Sequence, residues 1–286
     1  MGGDMRASPP PNRTRGGNGH PPRWPHATVA PQLWVLLLRQ IRVIYADRRV
    51  AFFTLLQPLI MLMLFSQVFG RMVDTAVLPA GVRYIDYLVP ALLVTTGVGA
   101  SQGAGLGLVR DMESGMVARF RALPVNRVMV LVARSLADLT KVFMQLVVLT
   151  ACCVLAMGFA PAGGFGNLGL SVLLTLLIVW ALIWIFIALA TWLRNIEMLS
   201  SIGFLVTFPL MFASSAFVPL HILPGWLQFI ATINPVTYAV NASRALSLGW
   251  PDAGVLSLAA LLAGGALIAG AMTIAVRKFA APWGEG

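Results

Sequence analysis

Asp138 and Lys141 stand three apart inside the apolar run SLADLTKVF, so a helix puts them on one face, where they can pair with each other. A proton relay and a neutralised structural pair both fit that spacing. The other concentration of charge is RDMESGMVARFRALPV, residues 110–125, which holds Arg110, Asp111, Glu113, Arg119 and Arg121. The whole chain has only 20 basic and 10 acidic side chains. Other chemistry is poorly provided for. His20, His26 and His221 are scattered, and Cys152 and Cys153 are adjacent within an apolar run, so neither set makes a metal spacing or a disulfide framework. A phosphate-binding loop needs Gly-Lys-Ser/Thr, and neither Lys141, after Thr140, nor Lys278, after Arg277, supplies it. The expectation is a chain with no catalytic site, no metal and no cofactor of its own.

The elements that must position these residues follow from composition. The chain is 58% hydrophobic and 10% charged, with a mean hydropathy of +0.84. Soluble domains carry about 25% charge. An all-α polytopic membrane protein is the fold class this implies. Six apolar spans are expected, at about 50–69, 88–109, 135–159, 168–192, 198–218 and 255–276. Residues 1–31, rich in Pro, Gly and Arg, read as a disordered cytoplasmic tail, and 281–286 as a second tail. Residues 32–45 place Trp34, Leu37, Leu38, Ile41, Ile44 and Tyr45 on one face, which predicts an interfacial helix. With the N-terminus inside, 17 of the 20 basic residues fall on inner segments, and only Arg71, Arg83 and Arg244 fall outside. Both termini are therefore expected in the cytoplasm of a multi-pass protein of the cell (plasma) membrane. The net charge of +10 is accounted for by this bias, and no nucleic-acid partner is expected.

Three segments carry detail. In the second span Gly99, Gly103 and Gly107 recur every four residues, a doubled small-xxx-small face suited to close helix packing, either mobile or static. Between the fifth and sixth spans, residues 218–246 are too apolar for a solvated loop. Pro219, Pro224, Gly225 and Pro235 interrupt them, while Trp226 and Tyr238 suit an interface. Two short re-entrant helices are predicted there, at 224–233 and 236–247. The charged connector reads as a short cytoplasmic helix over 111–123. Asp111 and Glu113 open it, Arg119 and Arg121 close it, and Pro124 stops it. Met112, Met116, Phe120 and Leu123 form an apolar stripe along it.

This arrangement resembles the type 2 ABC exporter permeases. The stretch DMESGMVARFRALPV is similar to that family's acid, Glu-x-Gly, basic-aromatic and Leu-Pro sequence, departing from it at Met116, where the family favours Thr. FVPLHILPGWLQF at 217–229 and NPVTY at 234–238 resemble the daunorubicin-resistance-type branch. The resemblance covers about residues 32–280. It implies a transmembrane permease subunit that binds no nucleotide itself, with ATP and Mg on a separate ATPase subunit. It further implies a second permease chain, surrounding membrane lipid and a small-molecule substrate such as an amphipathic antibiotic or drug. In that reading the segment from Arg110 to Pro124, including Gly115, is the coupling helix seated on the ATPase. A permease for a lipid or glycan precursor, and an ion-coupled carrier using Asp138 and Lys141, are the alternatives.

Overall fold

Asparagine and proline set where several helices start and stop. The computed structural model describes residues 48–73, 78, 82–114 and 127–280. Every regular element among them is helical: α1 (Arg48–Val73), α2 (Tyr84–Glu113), α3 (Arg127–Met157), α4 (Gly164–Leu193), α5 (Ile196–Phe212), α6 (Gly225–Ile233), α7 (Pro235–Leu248) and α8 (Ala253–Ala280). A 3-10 turn, Leu220–Ile222, precedes α6. Asn195 caps α5 by accepting from Met198 N at 2.9 Å, and Asn234 caps α7 by accepting from Val236 N at 2.9 Å. Pro235 occupies the first turn of α7, where its missing N–H costs nothing. Gly249, at φ 70°, closes α7 in the left-handed region that favours glycine.

The chain is an all-helical polytopic membrane protein. Among the described residues, α2, α3, α4 and α8 contain apolar stretches long enough to cross a bilayer. The apolar stretch Leu56–Val68 of α1 and the helix α5 are shorter. The two short helices expected after the fifth span occur at Gly225–Ile233 and Pro235–Leu248. The expected tails at 1–31 and 281–286 and the interfacial helix at 32–45 lie outside the described residues.

Helix α4 is the axis of the packing. It is uncharged throughout, and Val179, Ile183, Trp184 and Ile187 along it are fully buried. Helices α2, α7 and α8 pack around it. Two glycines let α2 approach it. A Cβ on Gly97 would collide with Val179, and one on Gly105 would stand 2.8 Å from the Phe186 carbonyl oxygen. Ser171 on α4 and Ser243 on α7 share a buried hydrogen bond of 2.6 Å.

The fifth span departs from expectation. Helix α5 ends at Phe212, after Pro209, rather than continuing to Val218. Residues 213–217 are non-helical yet buried. Irregular backbone is tolerated at membrane depth only where protein groups satisfy its carbonyls, and those groups form part of the site described next.

Candidate functional site

Side chains from α2, α6–α7 and the α5 end knit one end of the molecule together. Tyr84 Oη donates to Phe217 O at 3.1 Å, and Tyr87 Oη donates to Ser215 O at 3.3 Å. Asn234 Nδ2 donates to Leu210 O and Ala213 O at 2.8 and 2.7 Å. Arg244 completes the set. It is only 2% exposed. Its Nε donates to Tyr87 O at 3.1 Å, Nη2 to Ser215 O and Ala216 O at 3.0 and 3.3 Å, and Nη1 to Asn241 Oδ1 at 3.3 Å. Its Cζ lies 3.5 Å from the Tyr87 ring centroid. No carboxylate pairs with it among the described residues. A planar guanidinium with five donors can serve several carbonyls at once, which a lysine cannot. Charge counting places Arg244 on an outer segment. The signal for its burial is its place in an apolar segment among small residues, NASRAL, where a charge persists only if hydrogen-bonded.

The remaining outer-segment residues take ordinary roles. Pro219 and Pro224 precede the 3-10 turn and α6, and Gly225 begins α6. Trp226 is exposed on α6, and Tyr238 Oη donates to Thr232 O at 2.7 Å. Arg83 pairs with Asp86 at 2.7 Å and donates to Gly158 O at 2.8 Å, tying the start of α2 to the α3–α4 turn.

At the opposite end of α2 a second knot forms. Arg134 on α3 donates through Nη1 to Asp111 and stands 3.5 Å by its Nε from Asp138 Oδ2. Gly107 makes room for it, since a Cβ there would collide with the guanidinium. This corrects two expectations. Asp138 pairs with Arg134, one helical turn back, rather than with Lys141. Asp111 and Glu113 do not open a new helix but end α2, because nothing between Val109 and Ser114 breaks it. The dipole at that end disfavours acids, and Arg134 offsets this for Asp111. Met112 is buried, whereas Arg110 and Glu113 are exposed. Gly115, Met116, Arg119, Phe120, Arg121, Leu123 and Pro124 lie outside the described residues.

Between the two knots, α1, α2, α3 and α5 enclose a cleft of about 550 Å³. Gly99 and Gly103 line it, and a Cβ on either would meet nothing within 4 Å. The expected packing face is therefore not a helix contact within this chain. Glycines at 97 and 105, on another face of α2, do that packing, and Gly107 seats Arg134. Lys141 and Gln145 enter the cleft from α3, and Gln57 and Met61 from α1. An aromatic ladder forms its apolar side. Phe204–Phe208, Phe208–Phe212 and Phe212–Phe217 have ring centroids 5.4, 4.5 and 5.2 Å apart, and Phe65 of α1 stacks on Phe217 at 4.7 Å. Across the cleft floor Gln102 Nε2 donates to Ser200 O at 3.2 Å, over Gly203.

A bundle of long apolar helices with a cleft between four of them defines an integral membrane protein. The ABC-2 type transporter family model matches residues 31–248, and the chain belongs to that family. It is 31% identical to the daunorubicin resistance ABC transporter permease protein of Streptomyces coeruleorubidus over 194 residues, 68% of this chain and 67% of that protein. It is 29% identical to a putative transport permease of Pyropia yezoensis over 199 residues, 68% of this chain and 67% of that one. It is 26% identical to the probable doxorubicin resistance ABC transporter permease protein of Mycobacterium tuberculosis over 200 residues, 68% of each. The chain is thus an ABC transporter permease subunit, as the connector and outer-segment motifs implied.

Proposed function

We propose that this subunit exports an amphipathic small molecule of the antibiotic or drug class across the plasma membrane. A separate ATPase hydrolyses ATP with Mg, and two permease chains form the pathway. Both termini face the cytoplasm, and the segment from Arg110 to Pro124 docks on the ATPase. The observation that carries this reading is the knot at Arg134. Segment 115–126 connects α2 to α3, and the Arg134–Asp111 pair joins those helices at its base. The same two helices form walls of the cleft. A displacement imposed on the segment therefore reaches both walls together rather than fraying one helix. Glu113 is exposed just before the segment and is available to a partner's cation. The resistance relatives support a drug as cargo, and the apolar cleft supports an amphipath.

The test is a mild-detergent pull-down from native membranes, wild type beside Glu113→Arg, read by mass spectrometry. An ATPase subunit should be recovered with wild type and depleted with the variant. No ATPase with either, from well-solubilised chain, refutes the reading. Equal recovery with both removes Glu113 from the docking surface.

A further inference from the structure

Lys141 makes no close salt bridge among the described residues, and it reaches the Asp138 charge only at longer range. It lies near the middle of the Val128–Met157 span. It is the only charged side chain among the described residues that line the cleft. No carboxylate stands within 4 Å of it among the described residues, because Asp138 goes to Arg134. An ammonium with no carboxylate in contact is costly at that depth unless it faces water or a counter-charge. The same cleft holds a buried polar group without a partner. Thr207 on α5 is only 6% exposed, and its Oγ1 has no hydrogen-bond partner. The phenylalanine ladder and Met61 supply one apolar wall, and Gln57, Thr95, Gln102 and Gln145 add polar groups to the rest of the lining.

We propose that the cleft is a binding site for anionic amphipaths. Lys141 would pair with a carboxylate- or phosphate-type head, Thr207 would donate to it, and the phenylalanine ladder would hold the apolar body. Arg134 serves two carboxylates, so that knot carries one excess negative charge, which Lys141 offsets at longer range. The order of the groups favours an anion nonetheless. Asp111, Arg134 and Asp138 do not line the cleft, whereas Lys141 does. A head in contact with the ammonium feels the nearest charge most strongly, and a cationic head is repelled by it. Calling such an amphipath a substrate rests on the transport reading above. Binding itself does not.

The full chain in phosphatidylcholine nanodiscs would be titrated with dansylamino-undecanoic acid and with its trimethylammonium isostere. Wild type should bind the carboxylate about tenfold more tightly than the cation. Lys141→Arg should keep that preference, Lys141→Met should abolish it, and Lys141→Glu should reverse it. Gly99→Leu adds bulk where the structure leaves open space, so it should fold and should weaken binding of the acid. No preference in wild type, a preference for the cation, or a preference surviving in folded Lys141→Met overturns the proposal. So does undiminished binding to Gly99→Leu. Replacing part of the phosphatidylcholine with phosphatidylglycerol separates two sources of the head. Competition against the acid assigns the site to an anionic lipid, and its absence assigns it to a free amphipathic acid. No ATPase is present, so this outcome is independent of the pull-down.

Discussion

At the residue scale two arginines in this permease do opposite jobs. Arg134 neutralises carboxylates, while Arg244 neutralises none and instead serves backbone. The second role explains how α5 can stop at Phe212 inside a buried region. The carbonyls of Ser215 and Ala216 have left the helical ladder, and the guanidinium takes both while also reaching Tyr87 O. Arg244→Lys keeps the charge but loses the planar fork. Ser215 O keeps Tyr87 Oη as a donor while Ala216 O loses its own, and an unpaired buried carbonyl costs about 1–3 kcal/mol, so that variant should lose about 2 kcal/mol. The expected outcome is a clear fall in the thermal midpoint of the detergent-solubilised chain, followed by fluorescence-detected size exclusion. An unchanged midpoint would mean that the loop stands without the arginine.

At the element scale α2 carries three kinds of glycine on one helix. Gly97 and Gly105 touch α4, Gly107 seats Arg134, and Gly99 and Gly103 border open space. Side chains at these positions should therefore act differently. Gly105→Leu drives a side chain against the Phe186 backbone, which cannot yield as a flexible side chain would. Overpacking of that kind costs about 3 kcal/mol. Gly103→Leu should fold normally and narrow the cleft. Comparing the yield of monodisperse protein for the two variants decides between this assignment and the periodic one. Equal loss from both would restore a packing role for Gly103. The four-residue repeat was legible in the sequence, but period alone selects a face without saying what stands opposite it. A close-packed neighbour and an empty cleft leave the same small-residue pattern.

At the scale of the whole molecule the orientation is open to direct measurement. Glu113 stands just before the charged segment and Trp226 on α6, and the positive-inside orientation puts them on opposite sides of the membrane. In a background with Cys152 and Cys153 replaced by alanine, Glu113→Cys should react with an impermeant maleimide only in inverted vesicles. Trp226→Cys should react only in right-side-out vesicles. The reverse pattern would overturn the inside placement of both termini. Trp226 is 68% exposed, and Phe229 and Ile233 beside it are similarly open, so α6 presents an exposed apolar face while most of α7 is buried against α4 and α8. Sequence reasoning found two short helices here but not that they differ in this way. Both are apolar, and only the packing of α7 against α4 and α8 separates them.

Low charge and long apolar runs define the class from composition, because only helices in a membrane accommodate them, and proline and asparagine mark the two short helices after α5. Two motifs added the family. The tertiary structure alone decided the partners of the charges. Asp138 had candidate cations one turn away in both directions, Arg134 and Lys141. The sequence offers no way to choose between them, because the choice depends on Asp111 arriving from another helix and on Gly107 leaving room for the guanidinium. Once Arg134 is taken, Lys141 is left facing the cleft. Local spacing says which groups can meet along one helix, but three-dimensional packing determines which do.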